Sequence, residues 1–163
     1  MNNSEVDSII DECKLELDNI EKIVNNLKQT SNIIPFLTKY AVIKTCGTIE
    51  LSFKTLISDF CSNNQNEQIK NYISKTVRES SINPTKDNIC SLLLKFDKDW
   101  NIAFKEKLNL QKNKEKILFS LKSLNESRNT FAHGGNPTTT FQSVKDYFND
   151  CIEIIFILDN ILQ

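Results

Sequence analysis

Both ends of the chain carry apolar residues at alternating spacings of four and three, the pattern of a helix with one narrow apolar seam. The first seam predicts a helix from about Ser4 to Leu27, with Ser4 as the N-cap and Asp7 three residues later. The second predicts a helix from about Thr140 to Leu162. The seam residues are Val6, Ile10, Cys13, Leu17, Ile20, Val24 and Leu27, then Phe141, Val144, Phe148, Cys151, Ile155, Leu158 and Leu162. Such helices bury their seams by packing lengthwise, although one seam could also join two copies.

The chain between these ends predicts further helices. Only three glycines and three prolines occur in 163 residues, which favours long helices over a turn-rich β fold. We expect an all-α fold, an antiparallel bundle of about five to seven helices with two long heptad-patterned terminal helices, in one domain spanning residues 1–163. The predicted inner helices span about 35–60, 67–79, 85–96 and 113–133, whereas 97–111 is ambiguous.

The helix predicted over 35–60 is apolar on a wide arc, which is typical of a central helix. Its predicted inward residues are Phe36, Tyr40, Ile43, Cys46, Ile49, Phe53, Ile57 and Phe60. Glu50 lies at the edge of this arc. A carboxylate there needs a cationic partner, and Arg128 is the candidate, unless Glu50 simply stays at the solvent boundary.

Composition limits the classes of function. The formal net charge is −1 and the pI about 5.9, so the chain is not a globally basic nucleic-acid binder. Residues 97–116 hold six lysines against four carboxylates, which makes a weak basic patch. A solvated surface is the favoured interpretation of this patch, and an RNA contact is the alternative. No segment approaches a membrane span, and the polar, acidic N-terminus does not resemble a signal peptide. We expect a cytoplasmic protein with no membrane contact.

Five cysteines are widely spaced and form no Cys-x-x-Cys pair. This indicates reduced thiols rather than a disulfide framework. With one histidine and scattered cysteines, no metal-ligand spacing is present, so we expect no metal and no cofactor. A catalytic pair of one cysteine with the histidine is a weaker alternative.

Arg128 and His133 form the candidate site. His133 is the only histidine in the chain, and Arg128 and Arg78 are the only arginines. The unperturbed pKa of histidine lies near neutrality, which suits proton transfer, and the arginine fork fits phosphate. The pair therefore suggests acid–base chemistry on a phosphate ester.

The helical pattern bears on how these two residues meet. Apolar residues leading to the motif, from Ile117 to Leu124, place Arg128 at the edge of the buried face, and Gly134-Gly135 predicts the end of the helix. Residues five apart lie about 140° apart around a regular helix. Either the helix loosens before His133, or a second element, such as a second copy, completes the groove.

Arg128-Asn129-Thr130-Phe131-Ala132-His133-Gly134 resembles the signature of HEPN domains, an arginine with a polar neighbour and a histidine after four intervening residues. The chain looks closest to the RiboL-PSP type of that superfamily. The resemblance implies an all-α bundle that dimerises and brings two motifs into one cleft. Many such proteins are metal-independent ribonucleases of toxin–antitoxin, anti-phage or RNA-processing systems.

The resemblance implies roles for individual residues. His133 would be the general base or acid, and Arg128 would hold the scissile phosphate. Asn129 would orient the histidine or the phosphate, with Glu50 in support. RNA would be cut through its 2′-hydroxyl, leaving 2′,3′-cyclic phosphate ends, and an antitoxin or defence protein would be a further partner. The alternative is a non-catalytic HEPN-type module that binds a partner protein. In the plainest alternative, His133 caps the helix and Arg128 pairs with Glu50.

Overall fold

The regular structure is entirely helical in residues 1–136 and 138–162, which the computed structural model describes. This confirms the predicted fold class. Seven α-helices occur in these residues, with a π-helical turn at Ser74–Arg78 continuing α3. They are α1 Ser4–Asn26, α2 Ile33–Ser62, α3 Glu67–Ile73, α4 Lys86–Phe96, α5 Lys98–Asn109, α6 Lys114–Ala132 and α7 Phe141–Asp159. The ambiguous segment 97–111 is therefore mostly α5, which Asp97 caps by accepting the backbone N–H groups of Asp99 and Trp100.

The two terminal seams form the core against α2, which contacts α1, α6 and α7. Every predicted seam residue of α7 is buried, and so are the first five of the α1 seam, while Val24 and Leu27 are partly exposed. Phe53 of α2 and Phe148 of α7 are fully buried. Burying each such ring contributes about 1.5–3 kcal/mol. Both terminal helices therefore bury most of their seams in the bundle, as the heptad pattern predicts.

The N-terminal cap of α1 differs from the prediction. Asn3, rather than Ser4, caps the helix, and its Oδ1 accepts the backbone N–H of Val6 at 3.0 Å. The Asn3 side-chain amide also donates to Asp59 at 2.8 Å, and its backbone N–H lies 3.3 Å from Asp159. These two carboxylates fix Asn3 at the cap position. Both are distant in the sequence, so the pattern of residues around Ser4 could not predict this contact.

The N-terminal half of α2 also differs. Phe36, Tyr40 and Ile43, all predicted inward, are 70%, 46% and 47% exposed, whereas the arc from Cys46 to Ile57 is buried. The helices that pack on α2, among them α1, α6 and α7, do not cover these side chains. Phe60, the last of the predicted inward residues of α2, is also exposed.

The cysteines agree with the reduced thiols that the sequence indicates. All five cysteines are free, four of them buried and Cys61 half-buried. In the part of the chain that the structure describes, no helix is both long enough and apolar enough to cross a membrane. Pro137, in the predicted bridge between α6 and α7, lies outside the described residues.

Candidate active site

The motif lies on the last turns of α6. Ile117, Leu121 and Leu124 are buried and anchor this helix to the core. Arg128 continues the same side by one turn and is partly exposed, as predicted for the edge of the buried face. Asn129 and His133 are exposed. The core therefore fixes the helix, and the polar motif residues extend from it into solvent.

Two glycines end α6 in a Schellman motif. His133 is the C-cap residue, and Gly134 has a φ of +80°, a conformation that glycine adopts without steric cost. The N–H of Gly134 donates to Phe131 O at 2.9 Å, and the N–H of Gly135 donates to Thr130 O at 2.8 Å. A Cβ on Gly135 would come within 2.7 Å of the Thr130 side chain. The predicted glycine stop is confirmed, and it holds the backbone of His133 in a defined position.

Arg128 and His133 do not leave the helix in the same direction. The N–H of His133 donates to Asn129 O at 3.1 Å, an ordinary i to i−4 helical bond. The helix therefore does not loosen before His133, and the first of the two sequence-based alternatives is wrong. The two positions stay about 140° apart around the axis. The sequence-based alternative that remains is a second element that completes the groove.

Arg128 has amide partners. Its Nη1 donates to Asn83 Oδ1 at 2.7 Å and lies 3.5 Å from Asn129 Oδ1. No carboxylate pairs with Arg128 among the described residues. A guanidinium carries five N–H donors and one full charge, and an amide oxygen occupies a donor without neutralising the charge. Arg128 therefore retains its charge and most of its donors for an anion.

Glu50 does not pair with Arg128, so the expected contact is wrong. Its Oε1 accepts Lys54 Nζ at 2.9 Å and the backbone N–H of Ile82 at 3.0 Å. Lys54 follows by one helical turn, where the i, i+4 spacing always brings two side chains together. The Glu50 and Lys54 side chains are 17% and 7% exposed, so the pair is largely withdrawn from solvent.

This ion pair holds a loop, residues 79–85, that joins the π-helical turn to α4. Lys54 donates to Ser80 O, and Glu50 accepts from Ile82. Asn88 Nδ2 donates to Asn83 O at 2.9 Å, and Asn125 Nδ2 donates to Pro84 O at 3.0 Å. Side chains from α2, α4 and α6 thus fix the loop from several sides. Glu50 supports Arg128 indirectly, by positioning the loop that carries Asn83.

Cys46 is the thiol beside the motif. Its Sγ lies 3.4 Å from Leu124 O. Burial raises the pKa of Cys46 to about 12, and the charge of Arg128 lowers it only in part. The thiol is therefore protonated at neutral pH, which disfavours Cys46 as a nucleophile. Among the described residues, no three His, Cys, Asp or Glu side chains are grouped so as to hold a metal ion.

An exposed apolar stripe of α2 runs beside the end of α6. Its residues follow helical spacings of three and four and are Ile33, Phe36, Tyr40, Ile43, Gly47 and Leu51. The Lys39 ammonium joins the stripe to the motif helix, since it lies 5.8 Å from the centre of the Phe36 ring and 5.2 Å from that of Phe131. The N-terminal end of the stripe therefore lies near Phe131 of the motif helix.

The structure adds two residues that sequence reasoning missed. Asn83, the partner of Arg128, precedes Pro84 in a loop and carries no recognisable signal. Lys95 lines a groove with Arg128 and lies on α4. The only trace of it in the sequence is that Asn88, Ser91 and Lys95 are three and four residues apart, a polar stripe on a predicted helix.

Comparison with protein families identifies the fold. The sequence model of RiboL-PSP-HEPN matches residues 8–163, nearly the whole chain. Comparisons with curated proteins and with solved structures gave no match. The all-helical architecture agrees with the HEPN fold. The chain belongs to the RiboL-PSP-HEPN family.

Proposed function

We propose that the protein is a HEPN-type endoribonuclease that cleaves RNA without a metal ion at a cleft between two copies. The observation that carries this proposal is the state of Arg128, which is partly exposed, has amide partners and lies five residues before an exposed histidine. An arginine kept for stability alone would be expected to pair with a carboxylate. Arg78 does so, since it pairs with Asp59 and lies 3.5 Å from Glu5.

The reaction needs one base, one acid and a cation. One His133 imidazole takes the proton of the ribose 2′-hydroxyl, and the 2′-oxygen attacks the adjacent phosphorus. The bond from phosphorus to the 5′-oxygen breaks, and a water molecule gives the leaving oxygen its proton. The products are a 2′,3′-cyclic phosphate and a 5′-hydroxyl. DNA is resistant because it lacks the attacking hydroxyl.

Arg128 and Asn129 act on the phosphate. The guanidinium holds the nonbridging oxygens and stabilises the charge that develops on them in the transition state. Asn129, whose Oδ1 lies 3.5 Å from Arg128 Nη1, orients the fork. Glu50 keeps Asn83 in place through Ile82 and so sets the direction in which Arg128 extends.

A second copy supplies the missing element. Arg128 and His133 diverge on α6, so Arg128 of one copy holds the phosphate while His133 of the other copy takes the proton of the adjacent 2′-hydroxyl. The exposed apolar stripe of α2 supports this arrangement, because it spans about 27 Å of helix beside the motif. Exposed apolar patches of this kind mark interaction surfaces. A two-fold axis across the stripe would place the two motifs on one side of the dimer.

The second candidate is a non-catalytic module that binds a partner protein, such as an antitoxin or another defence subunit. The net charge of −1 favours it, because such a protein has little general attraction for RNA. The exposed α2 stripe is equally suited to a protein partner and to a second copy. The carboxylate-free Arg128 beside an exposed His133 favours the ribonuclease, because a purely structural module does not need this pair.

The test is cleavage of an end-labelled RNA in EDTA with analysis of the product ends. The wild type should cut and leave cyclic phosphate. His133→Ala and Arg128→Lys should each lose about a hundredfold or more of the rate, while circular dichroism stays unchanged because both residues lie outside the core. Arg78→Lys, in the structural ion pair, is the matched control and should keep cutting. Unchanged cleavage by His133→Ala would rule out the assignment, and a folded dimer that cuts no RNA would favour the binding module.

A further inference from the structure

A groove lies between the loop that carries Asn83 and the exposed side of α4. Arg128 and Lys95 are among its lining residues, and its volume is about 480 Å³. The wall between them consists mainly of amide and hydroxyl side chains, with Asn83, Asn88 and Ser91 facing the space. None of the described residues that line the groove is acidic. On a protein of net charge −1, this is a local site for an anion.

Both cations of the groove keep their charge uncompensated. Lys95 is exposed and forms no ion pair in the described part of the chain, and Arg128 bonds to amide oxygens. Elsewhere, lysines beside carboxylates do pair, as Lys145 does with Asp18 and Glu21 at 2.9 Å each. The groove therefore presents two full positive charges to solvent.

The groove is built rather than incidental. Asn88 donates to the backbone oxygen of Asn83, and Asn83 accepts from Arg128, so α4, the loop and α6 are joined by consecutive hydrogen bonds. Asn88, Ser91 and Lys95 follow one another on a single side of α4. Seven residues of helix span about 10 Å. Such a length exceeds one phosphate and fits consecutive nucleotides of a strand.

We propose that this groove binds the RNA strand next to the cleavage point, with Arg128 on the scissile phosphate and Lys95 on a neighbouring phosphate. This inference rests on the proposed function and adds Lys95 as a binding residue outside the Arg128–His133 motif. Ser91 and Asn88 donate hydrogen bonds to the sugar–phosphate backbone between the two cations. Contacts to phosphate position a strand without reading its sequence. The groove therefore sets the register of the RNA and leaves base preference to other surfaces.

The test separates binding from cleavage by using a fluorescent 2′-O-methyl RNA, which has no free 2′-hydroxyl and cannot be cut. Anisotropy titrations at several salt concentrations compare wild type, Lys95→Ala and Lys22→Ala. Lys22 is an exposed lysine near the end of α1 whose Nζ lies 3.4 Å from Asn19 Oδ1, so it is a matched control. Lys95→Ala should weaken binding about threefold to tenfold at low salt and reduce the salt slope by about one. Lys22→Ala should bind like the wild type.

Cleavage of unmodified RNA provides the second readout. Lys95→Ala should raise KM with little change in kcat, because Lys95 does not touch the reacting atoms. Equal affinity and equal salt slope for Lys95→Ala and wild type, or no RNA binding by either, would overturn the inference. If the wild type binds RNA through Lys95 but cuts none, the groove is an RNA-binding site and the ribonuclease proposal fails. If it cuts RNA and Lys95→Ala changes neither affinity nor KM, the ribonuclease proposal stands and the inference fails.

Discussion

Arg128 donates from Nη1 to Oδ1 of Asn83 at 2.7 Å, so the arginine of the motif is held by an amide and not by a carboxylate. The bond orients the guanidinium while leaving its charge uncompensated. Asn83 is in turn held by Asn88 of α4, and its loop is held by Glu50 and Lys54 of α2. The arrangement is a positioned cation at the surface, which is what phosphate binding requires.

Asn83→Asp should impair cleavage without harming the fold. The new carboxylate keeps the shape of the side chain but pairs with Arg128 and repels phosphate, so the cleavage rate should fall at least about tenfold. Asn19→Asp is the matched control, because Asn19 also accepts from a cation, Lys22, but lies on α1 away from the motif. The measurement is the initial rate of RNA cleavage beside the urea unfolding midpoint. Full activity of Asn83→Asp would mean that the free charge of Arg128 is not needed.

Glu50→Gln should destabilise the protein by about 1–3 kcal/mol, because it leaves the largely buried Lys54 without a counter-charge. Urea unfolding measures the change. Glu126→Gln is the control, since Glu126 pairs with Lys122 at the same i, i+4 spacing but both side chains are exposed. That change should stay below about 0.5 kcal/mol. Equal effects of the two substitutions would show that the Glu50–Lys54 pair is not what fixes the loop.

Ile43→Glu should dissociate the dimer and stop cleavage while the fold is retained. The side chain is 47% exposed on the α2 stripe, so a charge there is tolerated in one copy but is buried against a second. We expect the dimer Kd to rise at least about tenfold in sedimentation equilibrium. Leu110→Glu, at a site that is 81% exposed near the end of α5, is the control and should change neither the dimer Kd nor the rate of RNA cleavage. A dimer that survives Ile43→Glu would place the second copy elsewhere.

Acid should weaken the contact between α1 and α2. Lys44 and then Tyr40 hydrogen-bond to Glu16 and lower the pKa of its carboxyl below the ordinary value. A lowered folded-state pKa contributes stability above the unfolded pKa, and this contribution is lost as the pH falls through the folded value. Glu16→Gln should therefore be less stable than wild type at pH 7, by under about 1 kcal/mol because the pair is partly exposed, and the difference should shrink towards pH 3. Unfolding midpoints at both pH values measure this, with the exposed Glu12→Gln as control. A difference that does not depend on pH would contradict it.

The heptad pattern predicted the terminal helices and their buried residues because burial of those seams is a local consequence of spacing. Phe148 and Cys151 are fully buried for this reason. The same reasoning failed for Phe36 and Tyr40, since periodicity reports that a face is apolar but not whether another helix covers it. The exposed face of α2 became visible only when the positions of its neighbours were known.

The motif could be recognised from Arg128 and His133 because the pairing of residue types and its spacing are local. The side chains that surround the motif could not be predicted from the sequence. Asn83 lies 45 residues before Arg128 in the sequence, and the contact depends on how α4 and α6 pack against α2. The expected contact between Glu50 and Arg128 is wrong because Lys54, one helical turn after Glu50, is the nearer cation, and this i, i+4 spacing is itself visible in the sequence.

The most direct test of the account mixes two inactive variants, Arg128→Ala and His133→Ala, under conditions that exchange subunits, and measures RNA cleavage in EDTA. Each variant alone should be nearly inactive. Random exchange of equal amounts makes about half of the dimers mixed. One of the two sites in each mixed dimer keeps the Arg128 of one copy and the His133 of the other, so about a quarter of the wild-type rate should return. If mixed dimers form and remain as inactive as the separate variants, the site is not shared between two copies. If either variant alone cuts like the wild type, the assigned chemistry is wrong.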